Sequence, residues 1–218
     1  MTINVLNRAN SVLNNFICEV RDENIQKDSL RFRTNIERIG QLMAFELSKT
    51  LNFKTLDVKT PLGIAPVNVI DEQFVVASIL RAGLPLHNGF LSVFDRAENA
   101  FVSAYRKYID KVNFDIHVEY ISAPDITGKT LILCDPMLAT GGSMELSYKA
   151  LLSHGEPKNV HIASVIASQQ AVEHLQKSLP TDKTTIWVAA VDKELNSHAY
   201  IVPGIGDAGD LAFGGKID

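Results

Sequence analysis

Residues 131–144 read LILCDPMLATGGSM, an apolar run that ends at Asp135 and continues into a short loop with two consecutive glycines. The glycines allow a tight turn in which backbone N–H groups point inward, and a helix predicted to begin there adds the positive end of its dipole. The hydroxyl groups of the Thr and Ser beside the glycines are further donors. The stretch therefore predicts an anion site suited to a phosphate monoester. It is not a Walker A loop, because no Gly-Lys-[Ser/Thr] ending is present.

Further apolar runs of strand length occur on both sides of this stretch, and helix-length segments separate them. The predicted strands are QFVVASIL (73–80), TLILC (130–134), VHIASVIA (160–167) and TTIWVAAV (184–191), and the predicted helices between them are 144–153 and 168–179. Continuous runs rich in Val and Ile are typical of strands buried on both faces. The alternation predicts an α/β fold, an open and mainly parallel sheet flanked by helices.

Three other segments complete the expected organisation. Ser29 is a predicted N-cap, and apolar residues recur after it at three- and four-residue intervals to Thr50, which predicts an amphipathic helix. Proline and glycine between residues 61 and 66 predict a short extended region. Apolar and polar side chains alternate in residues 114–120, which predicts a half-exposed hairpin.

The composition is that of an ordinary folded protein. Of the 218 residues, 46% are apolar and 21% charged, which excludes collagen-like, coiled-coil and disordered classes. The 21 Lys and Arg against 25 Asp and Glu give a net charge of -4, which argues against a nucleic-acid partner. We expect no membrane partner and a cytoplasmic location, because no transmembrane stretch or secretory signal pattern is found. Cys18 and Cys134 suggest neither a disulfide nor a metal site.

Two charged residues stand where strands are predicted to end. Ligands of open α/β sheets bind at the carboxyl ends of strands, and the Asp135 carboxylate there suits the hydroxyls of a ribose attached to the phosphate. Arg81 directly follows the 73–80 strand, so its guanidinium can bind a pyrophosphate in the same crevice. The structural alternatives are that Asp135 only caps a turn, and that Arg81 is a surface arginine in an ordinary ion pair.

Residues 131–144, LILCDPMLATGGSM, resemble the phosphoribosyl pyrophosphate (PRPP) motif of the type I phosphoribosyltransferases. Pro136 in place of a second acid, ILRAGLPL (79–86) and YIVPGIGDAGDLAFG (200–214) are similar to the uracil phosphoribosyltransferase family. VRDEN and IGQLMAFEL near the start also resemble that family's first segments. The resemblance implies one phosphoribosyltransferase domain over 1–218, with an N-terminal arm and first helix at about 1–50, a β-hairpin insertion at about 100–122 and a base-binding hood at about 192–218. It implies the conversion of uracil and PRPP to UMP and pyrophosphate, a step of pyrimidine salvage.

The resemblance also assigns roles to individual residues. Asp135 and Arg81 carry over as catalytic residues. Arg106, in AYRKY, matches a second pyrophosphate-binding arginine, although its neighbours differ from the family pattern and Lys107 or Lys111 could share its work. The positions assigned to PRPP are Arg81, Arg106, Asp135, Pro136, Met137, Leu138, Ala139, Thr140, Gly141, Gly142, Ser143 and Asp207.

The glycine-rich segment 204–209 spells G-x-G-x-x-G, but it does not open a βαβ unit, which argues against a dinucleotide site. In the resembled family this segment surrounds the nucleobase, which implies that backbone groups read the uracil edge while Asp207 turns toward PRPP. The positions assigned to uracil are Ile201, Gly206, Asp207 and Ala208.

The expected cofactor is Mg²⁺, held mainly by PRPP oxygens and water rather than by protein ligands, since the six histidines form no metal-binding motif. The expected partners are PRPP and uracil, GTP as an effector, and further copies of the chain in a homo-oligomer, a dimer or tetramer. No general base can be identified. Two alternatives remain open, an RNA-binding regulator built on this fold and an enzyme of the same fold that uses a purine or orotate.

Overall fold

The computed structural model describes residues 1–108 and 114–216, with the backbone alone for 104–108 and 114–118. The strands are β1 (Thr2–Val5), β2 (Phe53–Thr60), β3 (Gly63–Ile70), β4 (Phe74–Leu80), β5 (Glu98–Tyr108), β6 (Phe114–Ser122), β7 (Thr130–Cys134), β8 (Met137–Leu138), β9 (Asn159–Ser168), β10 (Thr184–Asp192), β11 (Glu194–Leu195) and β12 (Ile201–Val202). The α-helices are α1 (Leu13–Arg21), α2 (Ser29–Ser48), α3 (Leu84–Leu91), α4 (Gly142–Leu151), α5 (Gln169–Ser178) and α6 (Ala208–Phe213).

The central sheet has the strand order β1-β10-β9-β7-β4-β5-β6, and the short β8 pairs beside β9. All neighbours are parallel except β5 and β6, which form an antiparallel pair at one edge. All residues of β7 are buried, as are those of β4 up to its last residue, which agrees with their continuous apolar sequence. The expected α/β fold with a mainly parallel sheet is confirmed.

Helices cover both faces of this sheet. α1, α2 and α3 pack on one face and bury Ile17, Ile36 and Phe90. α4 and α5 pack on the other face, with Tyr148 and Leu175 in the core. Burial of these apolar faces stabilises the two layers against the sheet.

The first long helix begins as predicted, but its N-cap is Asp28 rather than Ser29. The carboxylate of Asp28 accepts a hydrogen bond from the backbone N–H of Arg31 at 3.1 Å. The helix ends at Ser48, two residues earlier than predicted.

The expected extended region at 61–66 is extended from Gly63 onward, and it belongs to a longer hairpin, β2–β3, that the sequence did not predict. Its register runs from Phe53 opposite Ile70 to Thr60 opposite Gly63, and it pairs with no strand of the central sheet within the described residues. Pro66 is tolerated because both strands of a two-stranded sheet are edges. No helix in the described ranges is long and apolar enough to cross a membrane.

Candidate active site

Two loops meet at the carboxyl edge of the central sheet. β4 and β7 are parallel neighbours, with Ser78 opposite Cys134, so Arg81 and Asp135 leave the sheet at the same edge. Gly83 lies against the end of β7, where an added Cβ would lie 2.6 Å from the carbonyl oxygen of Cys134. The predicted proximity of the two loops therefore follows from strand pairing.

The loop between β7 and α4 has the geometry of an anion site. Gly141 adopts a φ of +86°, a conformation that favours glycine, and an added Cβ would lie 2.9 Å from Cδ2 of His174. The N-cap of α4 is Gly141, which has no side chain to cap the helix, and the hydroxyl of Thr140 accepts from the N–H of Gly142 at 3.4 Å. The N-terminus of α4 faces the loop, a position that favours a bound anion. A small pocket there is lined by Asp135, Met137, Leu138, Ala139, Thr140, Gly141, Ser143 and Met144.

Contacts from β9 and α5 hold this loop in place. The carbonyl oxygen of Pro136 accepts hydrogen bonds from the backbone N–H groups of Val165 and Ile166, at 3.2 and 2.9 Å. The hydroxyl of Ser168 donates to the carbonyl oxygen of Ala139 at 2.5 Å and accepts from the N–H of Ala171 at 2.9 Å. Ser168 therefore caps α5 and fixes the anion loop at the same time.

A charged cluster lies behind the loop. Glu145, in the first turn of α4, forms an ion pair with Lys149 at 2.6 Å and contacts Nε2 of His174 at 2.6 Å. The hydrogen bonds from Lys149 and His174 hold the pKa of Glu145 below its usual value, against the opposing effect of burial. The charge of Lys149 and the hydrogen bond to His174 offset part of a negative charge that would otherwise weaken anion binding at the helix N-terminus.

Asp135 is partly buried, and its Oδ1 accepts a hydrogen bond from the N–H of Met137 at 3.2 Å. This is a turn contact of the kind named in the structural alternative. Burial and the Asp135 charge raise the pKa of the Cys134 thiol well above its usual value, so Cys134 remains protonated and apolar in character.

Arg81 makes a polar contact with the C-terminal segment. Its Nη2 donates to Oδ1 of Asp210 at 3.2 Å and to the carbonyl oxygen of Gly214 at 3.2 Å. The two charged side chains are 39% and 42% exposed, so solvent screens the pair. Sequence reasoning missed Asp210, although it lies within the quoted GIGDAGD motif.

The second predicted arginine lies on the edge pair of strands. The backbone of Arg106 is in β5, opposite Ile116 in β6, and Lys107 follows it in the same strand. Lys111 lies outside the described residues.

The C-terminal segment, here called the hood (residues 192–216), folds back over this edge of the sheet. It contains the β11–β12 pair, a cis Val202–Pro203 bond and α6, which Asp207 caps by accepting from the N–H of Asp210 at 2.9 Å. The N–H of Ala208 donates to Sδ of Met137 at 3.4 Å, so the hood touches the anion loop. Ile201 is buried, while Gly206 is exposed with a φ of +81°.

The donor set at this edge suits a cation held by a substrate rather than by the protein. Within the described parts of the chain, no group of three or more His, Cys, Asp or Glu residues could hold a metal ion. Asp135 offers one carboxylate beside an anion site, and Mg²⁺ is commonly bound by one or two carboxylates together with phosphate oxygens and water. The residues present therefore fit Mg²⁺ carried by a phosphorylated ligand.

Comparisons with known proteins agree on one family. The family model described as uracil phosphoribosyltransferase matches residues 8–215. A uracil phosphoribosyltransferase of Porphyromonas gingivalis is 60% identical, over 97% of this chain and 98% of the relative. One from Methanothermobacter thermautotrophicus is 39% identical, over 88% of this chain and 87% of the relative. The solved structure of the AQ2163 protein from Aquifex aeolicus superposes with a TM-score of 0.86 and 28% identity, covering 98% of each chain.

Proposed function

Because the chain belongs to the uracil phosphoribosyltransferase family, we propose that it transfers the phosphoribosyl group of PRPP to uracil, forming UMP and pyrophosphate. The observation that carries the proposal is the anion loop, which runs from Asp135 to the N-terminus of α4, with Arg81 and the hood beside it. These parts supply separate binding groups for a phosphate, a pyrophosphate and a flat base at one edge of the sheet.

PRPP binds along the two loops at this edge. The backbone of residues 139–143 and the hydroxyls of Thr140 and Ser143 hold the 5-phosphate at the N-terminus of α4. The carboxylate of Asp135 accepts hydrogen bonds from the ribose hydroxyls, and the guanidinium of Arg81 holds the pyrophosphate. The family resemblance assigns Arg106 to the pyrophosphate as well.

The reaction breaks the bond between C1 of the ribose and the pyrophosphate oxygen and the N1–H bond of uracil, and it forms a bond from C1 to N1. The N1 proton passes to water or to the departing pyrophosphate. The bonding electrons leave with pyrophosphate, so positive charge develops on the ribose while Asp135 faces it. Mg²⁺, when bound with PRPP, neutralises charge on the leaving pyrophosphate. The chain's own residues orient the two substrates, since N1 and C1 must be aligned for the transfer.

The hood recognises uracil by its backbone. The N–H of Gly206 donates to O4 of uracil, and the carbonyl oxygen of Ala208 accepts from N3–H, using a lone pair beyond the one that α6 engages. Ile201 lies behind the base and Asp207 faces PRPP with the carboxylate oxygen that does not cap α6. The positive φ of Gly206 supports this assignment, because it turns the loop backbone in a conformation that favours glycine and leaves the backbone open to a ligand.

An assay with purified protein, Mg²⁺, PRPP and labelled uracil tests the proposal. We expect UMP and pyrophosphate in equal amounts, and no UMP when PRPP is omitted. The matched control is Asp135→Asn, which keeps the shape of the side chain and loses its charge. A folded wild-type protein that makes no UMP, or that uses a purine or orotate faster than uracil, would overturn the assignment.

Four finer expectations from the sequence are part of the proposal. They are the Mg²⁺ requirement, GTP as an effector, assembly into a dimer or tetramer, and a cytoplasmic location. Activity after chelation tests the Mg²⁺ requirement, and activity with added GTP tests the effector. A mass measurement in solution gives the oligomeric state.

A further inference from the structure

An arginine from the N-terminal region binds the hood from behind. Arg21, the last residue of α1, donates through Nη2 to Oδ1 of Asp192 at 2.8 Å and through Nη1 to Oδ2 at 2.9 Å. Asp192, the last residue of β10, is 9% exposed and Arg21 is 24% exposed. The bidentate and largely buried geometry makes this a stronger contact than an ordinary surface ion pair.

The same two side chains also bind both polar groups of Gly204. Nη1 of Arg21 donates to the carbonyl oxygen of Gly204 at 2.9 Å, and the N–H of Gly204 donates to Oδ2 of Asp192 at 2.9 Å. Gly204 has a φ of +58°, and an added Cβ would lie 2.1 Å from the carbonyl oxygen of Ile201. The peptide groups on both sides of Gly204 are therefore held in one orientation.

A second side chain from the N-terminal region continues this pattern. With its amide oriented to satisfy its neighbours, Gln26 donates to the carbonyl oxygen of Ile205 at 2.8 Å and to that of Val20 at 3.1 Å. Arg21, Asp192 and Gln26 together bind consecutive backbone groups of Gly204 and Ile205. The next residue along the chain is Gly206.

These polar contacts are not needed to dock α1, because the helix already buries Leu13, Ile17 and Val20 against the core. What the polar side chains add is a defined orientation of the hood backbone. A backbone that reads a base needs such support, since a small rotation of one peptide group misaligns its donor with the base.

We propose that Arg21 and Asp192 are positioning residues for uracil, which act through the Gly204–Gly206 backbone and do not touch the substrate. The proposal rests on the proposed function, in which the hood reads the base. It predicts a selective effect on the base, because Arg21 and Asp192 bind Gly204, in the segment that we assign to uracil, whereas the loop that we assign to the 5-phosphate lies between β7 and α4.

The test is steady-state kinetics of Arg21→Lys, which keeps the charge but cannot hold Asp192 and Gly204 at once. We expect the KM for uracil to rise about tenfold to a hundredfold, the range for losing charge-assisted hydrogen bonds. The KM for PRPP should change less than about threefold, and the preference for uracil over cytosine should fall. Gln26→Met, which keeps Arg21 intact, should raise the KM for uracil in the same direction by a smaller factor.

The matched control is Arg31→Lys. Arg31 also forms a bidentate pair with a carboxylate of α1, through Nε and Nη2 to Glu19 at 2.9 and 2.6 Å, but it does not touch the hood. We expect its kinetic constants to equal those of the wild type.

The outcomes separate the two proposals. If wild-type protein makes no UMP, the proposed function fails. If it makes UMP but Arg21→Lys and Gln26→Met leave the KM for uracil unchanged, or raise the KM for both substrates alike, the positioning role is refuted. If Arg21→Lys does not fold, Gln26→Met alone decides by the same comparison.

Discussion

The ion pair between Arg81 and Asp210 leads to a prediction about PRPP affinity. The guanidinium that we assign to pyrophosphate already donates to the Asp210 carboxylate at 3.2 Å. Pyrophosphate and Asp210 therefore compete for the same donor. Replacing Asp210 with Asn removes the competing charge and nearly keeps the side-chain shape, so the KM for PRPP should fall.

The size of the effect follows from the exposure of the pair. Arg81 and Asp210 are 39% and 42% exposed and share one contact between charged groups. Exposed pairs of this kind contribute roughly 0.2–1 kcal/mol, which corresponds to a factor of about 1.4 to 5 in affinity. Because salt screens exposed charges, the difference between wild type and Asp210→Asn should shrink at high ionic strength.

The assay measures the KM for PRPP at saturating uracil, for Asp210→Asn alone and in an Arg81→Ala background. The decrease in the KM for PRPP that Asp210→Asn causes should largely disappear in the Arg81→Ala background, because the competition acts through the Arg81 side chain. Asp71→Asn is the control, since Asp71 also forms an exposed ion pair, with Lys54 on the β2–β3 hairpin at 2.5 Å. The reasoning is refuted if Asp210→Asn raises the KM for PRPP, or if it lowers that KM equally in the wild-type and Arg81→Ala backgrounds.

Three further predictions concern the reaction, the base and stability. Asp135→Asn should fold normally and lose about a hundredfold or more in kcat, whereas a loss within about threefold would reduce Asp135 to a turn cap. Uracil should be preferred over cytosine by about 10⁴ or more in kcat/KM, because cytosine presents a donor to the N–H of Gly206 and an acceptor to the carbonyl of Ala208; comparable values would exclude backbone readout. Burial lowers the pKa of His161 from 6.5 to about 4, so the folded state favours the neutral ring, and this stabilisation is complete above pH 6.5 and is lost as the pH falls to 4. At about 1.36 kcal/mol per pKa unit, this stabilisation amounts to about 3 kcal/mol. Urea unfolding at pH 7 and pH 4.5 should therefore show that the free energy of unfolding falls less in His161→Gln than in the wild type.

The buried part of the fold could be predicted from local sequence. β7 matches the predicted TLILC run at both ends, because every side chain in it is buried and both flanks are polar or glycine-containing. The β2–β3 hairpin could not be recognised from apolar burial, since most of its side chains are exposed. The alternation of Leu56 and Val58 with Asp57 and Lys59 is typical of a strand and was a usable signal.

The anion loop could be predicted for a different reason. Its groups are consecutive in the chain, so the strand, the loop and the helix N-terminus are visible in one stretch of sequence. The supporting contacts join distant segments and leave no local pattern. Ser168 lies 29 residues from Ala139, and Arg21 lies 171 residues from Asp192. Only the capping position of Ser168 before a predicted helix was a usable signal.

The contacts of the hood differ in strength between its two sides. Toward PRPP it is held by a sulfur acceptor at 3.4 Å, from Ala208 to Met137, and by the exposed pair of Arg81 and Asp210. Away from PRPP it is held by the largely buried bidentate contact of Arg21. Weak contacts on the substrate side can be exchanged for contacts to PRPP at little cost, since a sulfur acceptor and an exposed pair contribute little. In the proposed mechanism, the strong contacts behind the hood keep its backbone in one orientation during that exchange, so that substrates enter without loss of the alignment that uracil recognition needs.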